Sequence, residues 1–97
     1  MLGFFSEMGP FRPNRDGGLD ANPHSWNQRA NMVFIESPGG VGFSYSDSDT
    51  DYADDRSTAM TNHRLLLLFF QRFPEFQTND LYLASESYGK VAWSLIT

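Results

Sequence analysis

The sequence predicts an α/β fold in which a mostly parallel sheet is covered by helices. Residues 31–37 contain four consecutive apolar residues, which predict a strand buried on both faces. Residues 54–73 have apolar positions at helical spacing, and Pro74 is expected to end that helix. Residues 81–84 form a second short apolar run, interpreted as another buried strand. The order strand, helix, strand indicates a parallel sheet with helical cover.

The predicted helix is expected to bury one of its faces. His63, which lies on that face, is interpreted as a core histidine and not as a ligand. Five aspartates between positions 47 and 55 suit the positively polarised start of a helix. The positions predicted to face inwards are Ala59, His63, Leu66 or Leu67, Phe70 and Phe73.

The remaining segments are expected to be short extended pieces and turns. Residues 1–13 are predicted to be extended and closed by Gly9-Pro10, and residues 38–42 are predicted to be a loop. Residues 14–22 predict a hairpin or loop with its tip at positions 16–18. Residues 22–27 predict a turn with an aromatic anchor, Trp26. The sequence has no internal repeat and no clear domain boundary.

Composition and charge narrow the possible classes of protein. Ninety-seven residues allow one small domain with a modest core, and 15% aromatic residues argue against disorder. A formal net charge of -5 argues against nucleic acid or an anionic membrane as partner. No apolar run is long enough to span a membrane, and no signal peptide is visible. Because the chain starts inside an apolar run, it is expected to be cut from a longer protein.

No metal or cofactor site is expected. The absence of cysteine excludes disulfides and thiolate metal sites. Asp47, Asp49 and Asp51 lack the downstream glycine and glutamate of a calcium loop. Gly40-Val41-Gly42 suggests a dinucleotide loop, but Tyr45 occupies the third glycine position.

Ser87 lies at the apex of a predicted strand–turn–helix motif. Residues 81–84 lead into Ser-Glu-Ser-Tyr-Gly, and residues 91–96 continue as an apolar segment compatible with a helix. This layout is typical of a nucleophile elbow, which holds a serine in a strained backbone conformation with its hydroxyl exposed. Small residues are needed two positions before and after the serine; Gly89 meets this requirement, while Ser85 replaces the usual glycine.

Five sequence blocks, given at the end of this paragraph in chain order, together resemble the amino-terminal part of serine carboxypeptidases, which are peptidases with the α/β-hydrolase fold. The resemblance covers nearly the whole chain and identifies residues 1–97 as an incomplete N-terminal portion of such a domain. It implies peptide or protein C-termini as substrate, no cofactor, and a vacuolar, lysosomal or extracellular location reached through the secretory pathway. The five blocks are Gly-Phe-Phe-Ser-Glu-Met-Gly-Pro from Gly3, Asn-Pro-His-Ser-Trp-Asn from Asn22, Gly-Val-Gly-Phe-Ser-Tyr-Ser from Gly40, Phe-Phe-Gln-Arg-Phe-Pro-Glu from Phe69 and Glu-Ser-Tyr-Gly from Glu86.

The resemblance assigns roles to four positions. Ser87 matches the nucleophile, and the backbone N–H of Tyr88 matches one donor of the oxyanion hole. Glu7 and Glu86 match the two acidic residues that bind the substrate's free C-terminal carboxylate. Two carboxyls held close together cannot both ionise cheaply, so one is expected to keep a proton and donate a hydrogen bond, which favours activity in acid.

The ten residues after Ser87 contain no Asp, Glu or His, so the Asp and His of a catalytic triad are absent from this sequence. His24 and His63 precede Ser87, which is the wrong chain order for the family's base. His24, where the family commonly has tyrosine, is interpreted as a turn residue. Activity is therefore expected only in a full-length form. A non-catalytic truncated remnant and an acyltransferase on the same scaffold remain alternatives.

Overall fold

The computed structural model describes residues 2–47, 53–87 and 89. The chain divides into two compact units, Met1–Glu36 and Ser37–Thr97, which are described separately below. The predicted helix over residues 91–96 lies outside the described residues.

The first unit contains a hairpin, which was one of the two structures predicted for residues 14–22. Strand β1 (Phe11–Pro13) pairs antiparallel with strand β2 (Leu19–Ala21), with Arg12 opposite Asp20. At the tip, the Asn14 side chain accepts hydrogen bonds from the backbone N–H groups of Asp16 and Gly18. Gly17 has a φ of 79°, which a residue with a side chain adopts only with strain. The turn residues thus specified this hairpin correctly.

The segment before β1 was predicted to be extended, but part of it is helical. Residues Gly3–Glu7 form a single π-helical turn, closed by a 3.0 Å hydrogen bond from the Met8 N–H to the Gly3 carbonyl. Gly9 permits this turn, because a Cβ at that position would overlap the carbonyl oxygen of Phe4. The apolar run predicted extended backbone, and the local hydrogen bond from Met8 to Gly3 was not visible in its pattern.

Residues 31–36 form no ladder with another strand among the described residues, and Val33 is 47% exposed. The predicted burial on both faces is therefore wrong for this structure. An edge-to-face contact between the rings of Phe4 and Phe34, with centroids 5.0 Å apart, holds the segment against the first turn. A buried parallel strand needs neighbours on both sides, and the one described sheet consists of β1 and β2.

The second unit is built on the predicted long helix, α1 (Asp55–Arg72). Its start is a capping box: the Ser57 N–H donates to Asp54 Oδ1 over 2.7 Å, and the Asp54 N–H donates to Ser57 Oγ over 2.9 Å. Pro74 follows the helix end, as predicted. The Gln77 side-chain amide donates to the Phe70 carbonyl over 2.8 Å, so one orphan carbonyl of the last turn gains a partner.

The buried side of α1 is rotated from the predicted face. Thr58, Ala59 and Asn62 are buried, whereas His63 is exposed. Of the predicted inner positions, Ala59 is buried, and Leu67 and Phe73 are 54% and 39% exposed. His63 is therefore not a core histidine in this structure. The apolar run at 65–70 covers most of the helix circumference, so its periodicity did not define one inner face.

Asp54 gives the start of α1 a defined pH dependence. The hydrogen bond from the Ser57 N–H is the main cause that lowers the pKa of Asp54 below its ordinary value of 3.8. A lowered folded-state pKa stabilises the fold fully above that ordinary value, and the contribution is lost as pH falls through the lowered value. We expect Asp54→Ala to reduce helicity at all pH values, and Asp54→Asn to keep the cap while losing its pH dependence, since both amide and carboxylate oxygens cap helices well.

Far-ultraviolet circular dichroism from about pH 6 to about pH 2 measures this effect, because the window spans the titration of the carboxyl. Equal loss of helical signal on acidification in the parent and in Asp54→Asn would show that other groups control the helix start.

Residues 81–84 have no regular secondary structure and form no ladder with another described strand, and Tyr82 is 84% exposed. The predicted buried strand is thus not buried in this structure.

The predicted loop over residues 38–42 is present, with turns closed by hydrogen bonds from the Val41 N–H to the Pro38 carbonyl and from the Gly40 N–H to the Ser44 carbonyl. No helix within the described ranges is long and apolar enough to cross a membrane.

Candidate active site

Ser87 has the backbone conformation that a nucleophile elbow requires. Its φ is 53°, and it is the one non-glycine residue with positive φ in the described part of the chain. The Gly89 N–H donates to the Glu86 carbonyl over 3.0 Å, so the chain reverses sharply around Ser87. The Ser87 residue is exposed. A serine in this region is strained, and such strain is found mainly at functional sites.

Gly89 and Ser85 approach each other across this turn. A Cβ added to Gly89 would lie 3.1 Å from the Ser85 Cβ, which is closer than nearly all real contacts between such atoms. Glycine at position 89 therefore avoids crowding against the Ser85 side chain. Because position 89 is glycine, the turn accommodates serine at position 85, where a nucleophile elbow usually has glycine.

Tyr88, the predicted oxyanion-hole donor, lies outside the described residues, as do residues 90–97. Glu86 is exposed and precedes Ser87 in the second unit, whereas Glu7 is exposed and belongs to the first unit. The pairing of Glu7 with Glu86 remains a prediction.

The backbone around Glu7 is held by Asn22, to which the sequence pattern assigned no function. Asn22 is 4% exposed, and its side-chain amide donates to the carbonyls of Glu7 and Gly9 over 3.2 and 2.8 Å. Its Oδ1 accepts the His24 N–H over 3.1 Å. The Asn22 N–H donates to the Pro10 carbonyl over 2.8 Å. Asn-Pro in a polar stretch signalled only a turn, so the burial of Asn22 was not predictable from local sequence.

Trp26 was predicted to anchor its turn through the aromatic ring, but its hydrogen bond with the neighbouring segment is made by the backbone. The Trp26 residue is 49% exposed, but its N–H donates to the Met8 carbonyl over 3.0 Å. His24 is exposed and contributes its backbone N–H to the turn, in line with its interpretation as a turn residue.

Two surface depressions among the described residues have linings that do not include Glu7, Glu86 or Ser87. No group of three or more His, Asp or Glu side chains that could hold a metal ion occurs in residues 2–47, 53–87 and 89. One depression, of about 390 Å³, is lined by His24, Ser25, Trp26, Gln28, Arg29 and Ala30. The other, of about 300 Å³, is lined by Pro38, Gly39, Tyr45, Ser46, Ala53, Ser57, Thr58 and Thr61.

Comparison with known proteins identifies the family of this chain. The family model for serine carboxypeptidases matches residues 1–92. The chain belongs to the serine carboxypeptidase family. Membership implies the α/β-hydrolase fold, although the described residues contain only one two-stranded antiparallel sheet and not the predicted parallel one.

Named relatives in this family come from Arabidopsis thaliana. Serine carboxypeptidase-like 44 is 48% identical over 89 residues, covering 90% of this chain and 19% of the relative. Serine carboxypeptidase-like 21 is 44% identical over 96 residues, covering 94% of this chain and 19% of the relative. The chain thus spans about a fifth of the length of the curated relatives that it matches.

Proposed function

We propose that this sequence forms the amino-terminal part of a serine-type carboxypeptidase whose nucleophile is Ser87. The observation that carries the proposal is the positive φ of Ser87 in the turn of a serine carboxypeptidase family member. An elbow holds the serine hydroxyl clear of the backbone, where it can reach a substrate carbonyl. The exposed position of Ser87 is consistent with this role.

In the proposed reaction, Ser87 Oγ attacks the carbonyl carbon of the last peptide bond of a substrate. The hydroxyl proton passes through a histidine base to the departing amino group, and water then hydrolyses the acyl-enzyme. The backbone N–H of Tyr88 donates to the oxyanion. The histidine and its aspartate partner are supplied by parts of the full-length protein that lie outside residues 1–97.

Glu7 and Glu86 are proposed to bind the free carboxylate at the substrate's C-terminus. A carboxyl that keeps its proton donates a hydrogen bond to that carboxylate, so binding is favoured in acid. This requirement suits a vacuolar, lysosomal or extracellular protein. No cofactor, nucleic acid or membrane partner is part of the proposal.

The test uses the protein as it is naturally produced, identified by the peptide that contains Ser87. We expect a fluorophosphonate probe to label Ser87, as mapped by mass spectrometry, and we expect N-blocked dipeptides to lose their C-terminal residue at acid pH. A product no longer than 97 residues that neither reacts with the probe nor cleaves peptides would identify a non-catalytic remnant. Preferred transfer of the acyl group to an added alcohol would identify an acyltransferase.

A further inference from the structure

We propose that Asn22 is a positioning residue that holds Glu7 where it can bind the substrate's C-terminal carboxylate. This inference rests on the proposed function of Glu7. It assigns to the Asn-Pro-His-Ser-Trp segment a role in substrate recognition, because Asn22 is the first residue of that segment.

The hydrogen-bonding capacity of Asn22 is directed at the segment that carries Glu7. Its amide nitrogen donates to the carbonyl of Glu7 over 3.2 Å and to that of Gly9 over 2.8 Å. Its backbone N–H donates to the carbonyl of Pro10 over 2.8 Å. Asn22 therefore binds three of the four carbonyl groups between positions 7 and 10, and the Trp26 N–H binds the fourth, that of Met8.

The asparagine side chain matches the hydrogen-bonding groups around this position. The site needs two N–H donors for the two carbonyls and one oxygen acceptor for the His24 N–H, which an amide supplies. Aspartate would place carboxylate oxygens against carbonyl oxygens, and alanine would remove the side-chain donor of the buried Gly9 carbonyl. Losing a partner of a buried polar group costs more than an average hydrogen bond contributes.

The arrangement fixes the backbone of Glu7 while leaving the residue exposed. Arg12 adds a weaker contact, since its guanidinium donates to the same Glu7 carbonyl over 3.4 Å. A carboxyl that recognises a carboxylate must be held within a fraction of an ångström, because its hydrogen bonds depend steeply on distance and angle. The Asn22 contacts supply this constraint from the side of the main chain.

The test compares variants of the native product on two substrates. One is an N-blocked dipeptide with a free C-terminal carboxylate, and the other is an N-blocked amino acid ester that lacks this carboxylate. For Asn22→Ala we expect KM for the dipeptide to rise about tenfold, the effect of losing roughly one buried hydrogen-bonded contact. We expect kcat and the KM for the ester to change less than about twofold.

Asn14→Ala is the matched control. Asn14 also makes three side-chain hydrogen bonds in the first unit, to Asp16, Gly18 and Asp20, but none reaches residues 7–10. It is expected to leave both KM values unchanged. Arg12→Ala, at an exposed position, is a milder second variant for the case in which Asn22→Ala fails to fold, and it should raise the dipeptide KM by about twofold.

A Glu7→Gln background separates positioning of Glu7 from any other role. If Asn22 acts through Glu7, Asn22→Ala should add nothing to the KM effect of Glu7→Gln. Full additivity, or an equal rise of KM for dipeptide and ester, would overturn the positioning role while leaving the proposed function intact. Absence of turnover of either substrate by the parent protein would instead overturn the proposed function, and this inference with it.

Discussion

Replacing Ser87 with alanine in the native product is expected to lower kcat for N-blocked dipeptides by at least about a thousandfold. The reason is that covalent catalysis loses its attacking oxygen, while the backbone donors and substrate contacts remain. KM should change little, because the hydroxyl contributes mainly to the chemical step and not to binding. Hydrolysis followed by release of the C-terminal amino acid gives both parameters.

Ser85→Ala is the control for Ser87→Ala. It removes a hydroxyl two residues away in the same turn and leaves the Cβ that faces Gly89 in place. We expect it to retain activity within about threefold, as for a surface substitution without a catalytic role. Comparable activity in Ser87→Ala and the parent would place the nucleophile at another residue.

Replacing Gly9 with alanine is expected to unfold the first unit locally or to reduce stability by about 3 kcal/mol. The added Cβ would overlap the carbonyl oxygen of Phe4 and lie 2.7 Å from its carbonyl carbon. Both atoms belong to the main chain of the π-helical turn, so the clash cannot be relieved by rotating a side chain. Moving the turn would break the contacts that Asn22 makes with Glu7 and Gly9.

Gly3→Ala tests whether the loss at Gly9 arises from this clash. At Gly3 an added Cβ would meet only the Glu7 Oε2, at 3.5 Å, which is an ordinary contact. The Gly3 variant should therefore unfold in urea at the same concentration as the parent, or at a slightly higher one, since alanine favours helical backbone over glycine. A Gly9→Ala protein with unchanged urea midpoint would show that the turn relaxes without cost.

Short-range signals in the sequence were sufficient for the hairpin and the long helix. Asp16-Gly17-Gly18 specifies its turn through a positive φ, and the Asp54 cap and Pro74 mark the two ends of α1. These features depend on neighbours within a few positions. They were predictable because the physical causes lie in the same stretch as the effect.

Burial was harder to predict than secondary structure. Residues 31–37 and 81–84 are apolar, and their composition predicted buried strands, but burial requires partner strands that are not among the described residues. Ala59 is the one buried hydrophobic residue within the described ranges. Exposed apolar segments of this kind are consistent with the proposal that the active protein is longer than this sequence.

The candidate site was predicted to different degrees. The turn at Ser87 followed from its flanking residues, and the φ of 53° agrees with the expected elbow geometry. The contacts of Asn22 were not predicted, because its partners at positions 7 and 9 are far away in sequence. Polar residues that organise a turn and polar residues that organise a distant segment look alike until the contacts are known.

The left-handed backbone at Ser87 also affects how variants of this protein should be selected. A residue with a Cβ in that region costs about 1–2 kcal/mol relative to an unstrained conformation, and glycine avoids the cost. A library screened only for thermal resistance or expression yield would therefore enrich Ser87→Gly, a substitution that removes the proposed nucleophile. Directed evolution of this sequence should couple every stability screen to covalent labelling of the serine, so that stable variants without the serine are discarded in the same round.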